Sequence, residues 1–468
     1  MPRTRPDTRA SSWCWLAVPF GLLLYATSAQ AQSSATENTA TQHASNLASR
    51  RYSLQQLIEL ALNENPSFRE AEQGALQTHL ETSLVRSQYA PQLNIKAMGG
   101  NEHTPLAITR NVSPRGYIVS TSREIIPSLQ LKWLLLDFGR KKNQVEAAMQ
   151  TAQAADASLL GAQEKLVFAV SKAYFDANAA RGKVRAADKA LHAAQLTEQA
   201  VVDQRQHGRA TVVQVAQAHR QTAAMQLAQT RATGDAQTTL ATLLATVGLG
   251  SDSRLELDDA GDVPAKPEPS PALGTLIATA LSSRPDIIGA QDRVAAAAAS
   301  VDAARAMYRP TLSIEAQVFQ NIGKTSTDNS PFSSINMTGN SIFVAFEVPL
   351  FDGGGRATKV ALARSKRDEA EDALSAARLA ATQQVTQSYN DLKTSLANRA
   401  QALDYTKAAE LAYQASLDAY RHGLSSVTDL TGDEAALAQA ESNQEDADAS
   451  VQIARAEMAL AIGQGKSR

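Results

Sequence analysis

The strongest constraint on this chain is that it is written twice. Shifting residues 54–97 by 219 places Leu54, Leu57, Ile58, Ala61, Leu62 and Pro66 on Leu273, Leu276, Ile277, Ala280, Leu281 and Pro285 without a gap. The same shift carries Arg86, Tyr89, Pro91, Leu93 and Ile95 onto Arg305, Tyr308, Pro310, Leu312 and Ile314. A second ungapped register, of 215, pairs Asp137 with Asp352, Gly139 with Gly354, Tyr174 with Tyr389, His207-Gly208 with His422-Gly423, and Gly248 with Gly463. Two copies make a duplicated domain rather than a repeat array. The copies are assigned to residues 51–248 and 273–465, with a Pro-, Gly- and Asp-rich surface connector at 249–272.

Proline and glycine divide each copy in the same order. Asn65-Pro66 and Arg284-Pro285 separate a short amphipathic helix from a longer one, since the residue before proline leaves helical geometry while proline itself suits a first turn. The longer helix stops at Ala90-Pro91 or Arg309-Pro310. Strands follow, predicted over 91–100 and 127–137 and over 310–319 and 341–351. In them Leu93, Ile95 and Ala97, or Leu312, Ile314, Ala316 and Val318, alternate with polar residues. Period two with charge on the second face means one apolar face and one wet face. Polar stretches near 99–117 and 320–340 read as long external loops. Residues 141–207 and 356–422 then contain no proline and little glycine. A helix of that length reaches about 100 Å and needs partners along its whole course, which argues for coiled-coil packing. Each ends at His-Gly and returns as a second helix to Gly248 or Gly463.

The N-terminus carries Arg3, Arg5 and Arg9, an apolar stretch from Trp13 to Tyr25, and Ala29-Gln30-Ala31, the order of a secretory signal with cleavage expected after Ala31. Residues 32–50 read as a mobile polar tail. The single cysteine, Cys14, lies inside the signal, so the mature chain is expected to form no disulfides and no thiolate metal site. Removing three Arg and one Asp moves the formal charge from −2 to −4, too close to neutral to suggest nucleic acid as a partner. No later window has the apolar length of a transmembrane helix, so membrane insertion is expected through strands.

With helix, YAPQL or YRPTL strand entry, LLLDFGR or VPLFDGGGR strand exit, and the turns RQHGRATVVQV and YRHGLSSVTDL all present twice, the chain resembles the TolC-like outer-membrane efflux and secretion proteins over residues 52–465. The resemblance implies a mostly α fold in which long coiled-coil helices form a periplasmic tunnel. Four strands per chain would contribute to a twelve-stranded membrane β-barrel in a homotrimer. It implies a passive exit duct in the outer membrane of a Gram-negative bacterium, contacting outer-membrane lipid. A periplasmic adaptor would join it to an inner-membrane pump or an ABC transporter of type I secretion. By the same resemblance the turns are the adaptor-docking tips, at Gly208, Gly423, Leu424 and Ser425, and Asp429 lines a periplasmic gate. The second acidic ring often found in the family falls on Gly432, with Asp433 beside it, and the first-copy counterpart of Asp429 is Gln214.

The residues themselves offer no enzyme. Asp137-Phe138-Gly139 lacks the glycine-rich loop and HRD segment of a kinase, and Gly353-Gly354-Gly355 lacks the Gly-Lys-Ser/Thr of a phosphate loop. No His pair has zinc-hydrolase spacing, and His207 and His422 suit helix C-termini. No catalytic residue, metal or cofactor is assigned. A structural coiled-coil envelope protein, such as an adhesin stalk, is the competing class.

Overall fold

The computed structural model describes residues 51–251, 253, 255–258, 272–328 and 330–464. The expected signal segment, the polar tail and most of the connector fall outside these residues. The first copy runs β1 (Arg51–Tyr52), α1 (Leu54–Glu64), α2 (Pro66–Ser87), β2 (Gln92–Ala107), β3 (Tyr117–Leu136), α3 (Arg140–Gln206) and α4 (Val212–Val247). After β4 (Glu256–Leu257), the second runs α5 (Leu273–Ser283), α6 (Pro285–Ala306), β5 (Thr311–Thr327), β6 (Ser333–Glu347), α7 (Gly355–Arg421) and α8 (Val427–Ala461). Both α3 and α7 are 67 residues long.

The helices pack through small residues. On α3 the buried residues Ala173, Ala177 and Ala180, and after them Gly182, Ala186, Ala190, Ala194, Thr197 and Val201, recur every three or four residues within each run. This lets neighbouring backbones approach closely while one face stays toward its partners. Larger side chains gather where the short helices dock. Leu57, Ile58 and Ala61 of α1 meet Val170 and Tyr174 of α3 and Leu243, Leu244 and Val247 of α4. Leu276 and Ala280 of α5 repeat this against Val385, Met458 and Ala461, with Tyr389 alongside. Each fully buried Leu or Val contributes about 1.5–3 kcal/mol.

The helix junctions explain the punctuating prolines. Asn65 caps α2 by accepting from Ser67 N (2.9 Å) and Phe68 N (3.2 Å), and its amide donates to Thr246 O at the end of α4 (2.8 Å). At the matching place, Arg284 donates to Ala461 O (3.0 Å) and Gln384 Oε1 (2.7 Å) and pairs with Asp286 (2.7 Å). Each junction lies against a left-handed glycine: a Cβ on Gly248 would come within 2.8 Å of Asn65 Cα, and one on Gly463 within 3.0 Å of Arg284 Cα.

The four long strands form one antiparallel sheet, ordered β2-β3-β5-β6, with the copies meeting at β3–β5. They exceed the lengths predicted from alternation, so that β3 begins at Tyr117 after β2 ends at Ala107, and β6 begins at Ser333 after β5 ends at Thr327. The ladders continue through polar rows such as Asn101↔Arg123 and Lys324↔Ser334, which hydrophobic pattern does not mark. Main-chain pairing ignores side-chain polarity. Proline still interrupts the pairing. The β3–β5 ladder omits Ile126 and Pro127, and β6 stops at Glu347, short of the expected 351, two residues before Pro349.

Register assigns the two faces. One carries Leu93 and Ile95, Ile125, Leu129, Leu131 and Trp133, Ile314, Val318 and Ile322, and Ile342, Val344 and Phe346. The other carries Asn94 and Lys96, Gln130 and Lys132, and Glu315 and Gln317, with Lys132 paired to Glu315 at 3.2 Å. The apolar face is largely exposed in the single chain, Ile95 by 84% and Ile342 by 76%.

At each strand exit the motif recognised in the sequence builds a clamp. Asp137 accepts from Gly139 N (3.2 Å) and Lys141 N (2.8 Å), while buried Lys141 donates to Gln88 O and Leu134 O and lies over the Tyr89 ring at 5.6 Å. Asp352 accepts from Arg356 N (2.8 Å) and Nε (3.0 Å). Buried Arg356 donates to Pro349 O (2.6 Å) and lies 5.1 Å from the Tyr308 ring centre. Left-handed Gly139 and Gly354 let the chain turn into α3 and α7.

Candidate functional site

The two turns that end α3 and α7 are built alike. Gly208 (φ +73°) and Gly423 (φ +76°) are left-handed. The next amide reaches back to close the helix, Arg209 N donating to Gln204 O and Leu424 N to Ala419 O, each at 2.8 Å. This pattern needs a residue without Cβ strain. His207 and His422 each donate from Nδ1 to the carbonyl four residues earlier, at 2.8 Å. Nothing lies within 4 Å of where a Cβ would sit on either glycine, so the requirement is conformational and the surrounding space is open.

Each return helix starts with a reciprocal cap. Thr211 Oγ1 accepts from Gln214 N, whose side chain accepts from Thr211 N at 2.8 Å. In the second copy Ser426 Oγ accepts from Asp429 N (3.1 Å), and Asp429 Oδ2 accepts from Ser426 N (3.2 Å), Ser426 Oγ (2.8 Å) and Ser425 Oγ (3.4 Å). The Ser426 hydrogen bonds hold the Asp429 carboxyl below the usual carboxylate range. Asp429 is therefore ionised at neutral pH and fully exposed, and Leu424 beside it is 84% exposed.

The structure brings the two turns together. Tyr420 donates to Gln204 Oε1 (3.1 Å), and Thr428 to Gln217 Oε1 (3.2 Å). Val201, Ala218 and Val427 form a small core beneath, packed by Ala210, Val215 and Tyr420. Gly208, Gly423, Leu424, Ser425 and Asp429 thus share one end of the helical bundle. The charge is unequal: Gln214 stands where the second copy has Asp429.

Sequence reading passed over the residue just inside this end. Glu434, 3% exposed, continues the buried stripe Val427, Leu430 and Thr431 on α8, and neither of its oxygens has a hydrogen-bond partner. Burial pushes its carboxyl up to about 7. The spacing of three and four residues from Val427 was the available signal. Asp433, which stands beside Gly432, is bonded to Ser416 Oγ. Among the described residues no cluster of three or more His, Cys, Asp or Glu side chains is placed to hold a metal. No helix among the described residues is long and apolar enough to cross a membrane.

Relatives place this architecture. The chain is 28% identical to outer membrane protein OprJ of Pseudomonas aeruginosa over 330 residues, covering 68% of this chain and 64% of that one. It is 27% identical to protein CyaE of Bordetella pertussis over 378 residues, 81% and 77% of the two chains. The Campylobacter jejuni CmeC outer membrane channel superposes with a TM-score of 0.72 at 20% identity, over 88% of this chain and 86% of that one. The outer membrane efflux protein family model matches residues 57–249 and 276–464, one segment per copy. With both copies matched and the helical bundle, four-stranded sheet and paired turns in the order that the sequence motifs predict, the chain belongs to the outer membrane efflux protein family.

Proposed function

We propose that this protein works as a homotrimeric, passive exit duct, its twelve strands closing a barrel in the outer membrane and its helices a tunnel through the periplasm. The observation that carries this reading is the sheet. Four strands leave β2 and β6 with open edges and an apolar face toward solvent. Unpaired backbone groups cannot face hydrocarbon, and four strands are too few to close alone, so other copies must complete the barrel. A coiled-coil stalk without transport activity accounts for α3 and α7 but not for this face.

In this reading the end that carries Gly208, Gly423, Leu424 and Ser425 docks a periplasmic adaptor, which couples the duct to an inner-membrane pump or a type I ABC transporter. Asp429 contributes one carboxylate per chain to a gate at the tunnel entrance. A ring of carboxylates favours cations. The experiment is mass determination in detergent together with conductance in planar bilayers. Three chains and a cation-selective pore that loses selectivity in Asp429→Asn are expected. A conducting monomer would overturn the trimer, and unchanged selectivity would return Asp429 to its capping role alone.

A further inference from the structure

At the loop end of the sheet two cations stand on the face away from Glu102 and Glu124, and the third acid there, Asp328, is engaged by the main chain, its Oδ1 accepting from Val119 N at 2.9 Å. Arg123 and Lys324 sit directly opposite each other across β3 and β5, both exposed, on the face that carries the apolar band. Like charges in opposed positions repel. No carboxylate among the described residues lies within ion-pair distance of either, and neither side chain has a hydrogen-bond acceptor there. The Arg123 guanidinium lies 4.9 Å from the centre of the Phe332 ring, which fixes its position without neutralising it. The neighbouring acids Glu102 and Glu124 belong to the opposite face by register. In the turn beyond, Arg110 and Arg115 are also exposed. One row toward the helices, the same face presents Ile125 opposite Ile322, and two rows further Leu129 opposite Val318.

We propose that this rim is a docking surface for the phosphorylated headgroup of a glycolipid in the outer leaflet of the outer membrane. The helices leave the sheet at Leu136 and Glu347, so with the helices in the periplasm the 108–116 turn and the opposite ends of β5 and β6, at Thr327 and Ser333, lie outermost. An amphiphile fits both parts of the surface: its phosphate meets Arg123 and Lys324 while its acyl chains lie along Ile125, Ile322, Leu129 and Val318. A free phosphate would use only the cations. The lipid also supplies the anion that the opposed cations lack, and charge-assisted contacts to phosphate are strong where water is scarce.

The inference rests on the barrel reading, and one experiment separates the two. Native mass spectrometry of the full chain in detergent, titrated with bis-phosphorylated lipid A, reports the number of chains and the bound lipid in the same spectrum. Bound lipid is expected on the trimer, and affinity should fall about tenfold for dephosphorylated lipid A or for Arg123→Gln/Lys324→Gln, the order expected for lost charge-assisted bonds. Arg123→Lys/Lys324→Arg should retain binding. Equal affinity for the two lipids on the unmodified protein, unchanged affinity in the double variant, or full displacement by millimolar inorganic phosphate would overturn the lipid site while leaving the trimer standing. Absence of a trimer would overturn the barrel reading itself.

Discussion

A carboxylate on the buried stripe of a helix costs free energy unless it is paired or protonated. Glu434 has no partner for either oxygen, so it keeps its proton up to about pH 7. Its folded value is raised above the unfolded one. The stability it allows is therefore fully present below about pH 4.5 and is lost as pH rises through about 7, a difference of roughly 3 kcal/mol. Glu434→Met should leave the melting temperature unchanged at pH 5 and raise it at pH 8. A wild-type melting temperature flat between pH 5 and 8 would contradict the buried, protonated state. Tyr413, whose hydroxyl is held up by burial and by the Glu434 charge and lowered by Arg421, is a titrating group close to this position. At the neighbouring turn the constraint is backbone geometry. Gly423→Val forces a β-branched residue into a left-handed conformation at a cost of about 1–2 kcal/mol, with no clash to add to it. The helices should survive this. We expect the Gly423→Val protein to fold and assemble but to lose transport, measured as drug or export sensitivity in cells that depend on it. Full transport would place adaptor docking at Gly208 instead.

Elements, unlike single side chains, were largely legible, because proline and glycine are local signals. Asn65-Pro66, Tyr89-Ala90-Pro91 and His207-Gly208 each end a helix at the place the sequence predicts, and their partners 219 or 215 residues later do the same. Strand length was not legible. Rows such as Arg123↔Lys324 extend the ladder by backbone pairing that leaves no hydrophobic alternation to read. The strand-exit motifs were legible as signatures but not as machinery. The aspartate's partner four residues on, Lys141 or Arg356, belongs to a residue type that is rarely buried, and in the fold it is a buried clamp. Arg356 ties the end of β6 to the start of α7 and to the Tyr308 ring. Arg356→Met removes these bonds and leaves Pro349 O without its donor, at about 3 kcal/mol. Arg356→Lys should recover only part, since one ammonium cannot reproduce the fork. Thermal unfolding in detergent measures both, and equal stability of all three proteins would deny the clamp.

At the scale of the whole molecule, apolar surface remains that one chain has no means of covering. Leu76, Leu80 and Leu84 recur every four residues along α2 and are 48%, 60% and 69% exposed, forming a stripe on a helix that already packs by its other side against α3. A row of leucines at that spacing on one face is the pattern of a helix with a missing partner. The sheet shows the same deficit at its two open edges. The proposed trimer would meet both, because closed rotational symmetry satisfies every chain's stripe and edges at once. Each leucine buried by a neighbour would contribute about 2 kcal/mol to assembly. Leu80→Glu places a charge at the middle of the stripe and should leave the chain helical, since α2 keeps its contacts with α3, while shifting the mass in detergent from three chains toward one. Leu80→Met, similar in volume, should leave the trimer intact. A Leu80→Glu protein that remains fully trimeric would mean that the strands alone hold the copies together and that the leucine stripe of α2 faces something else.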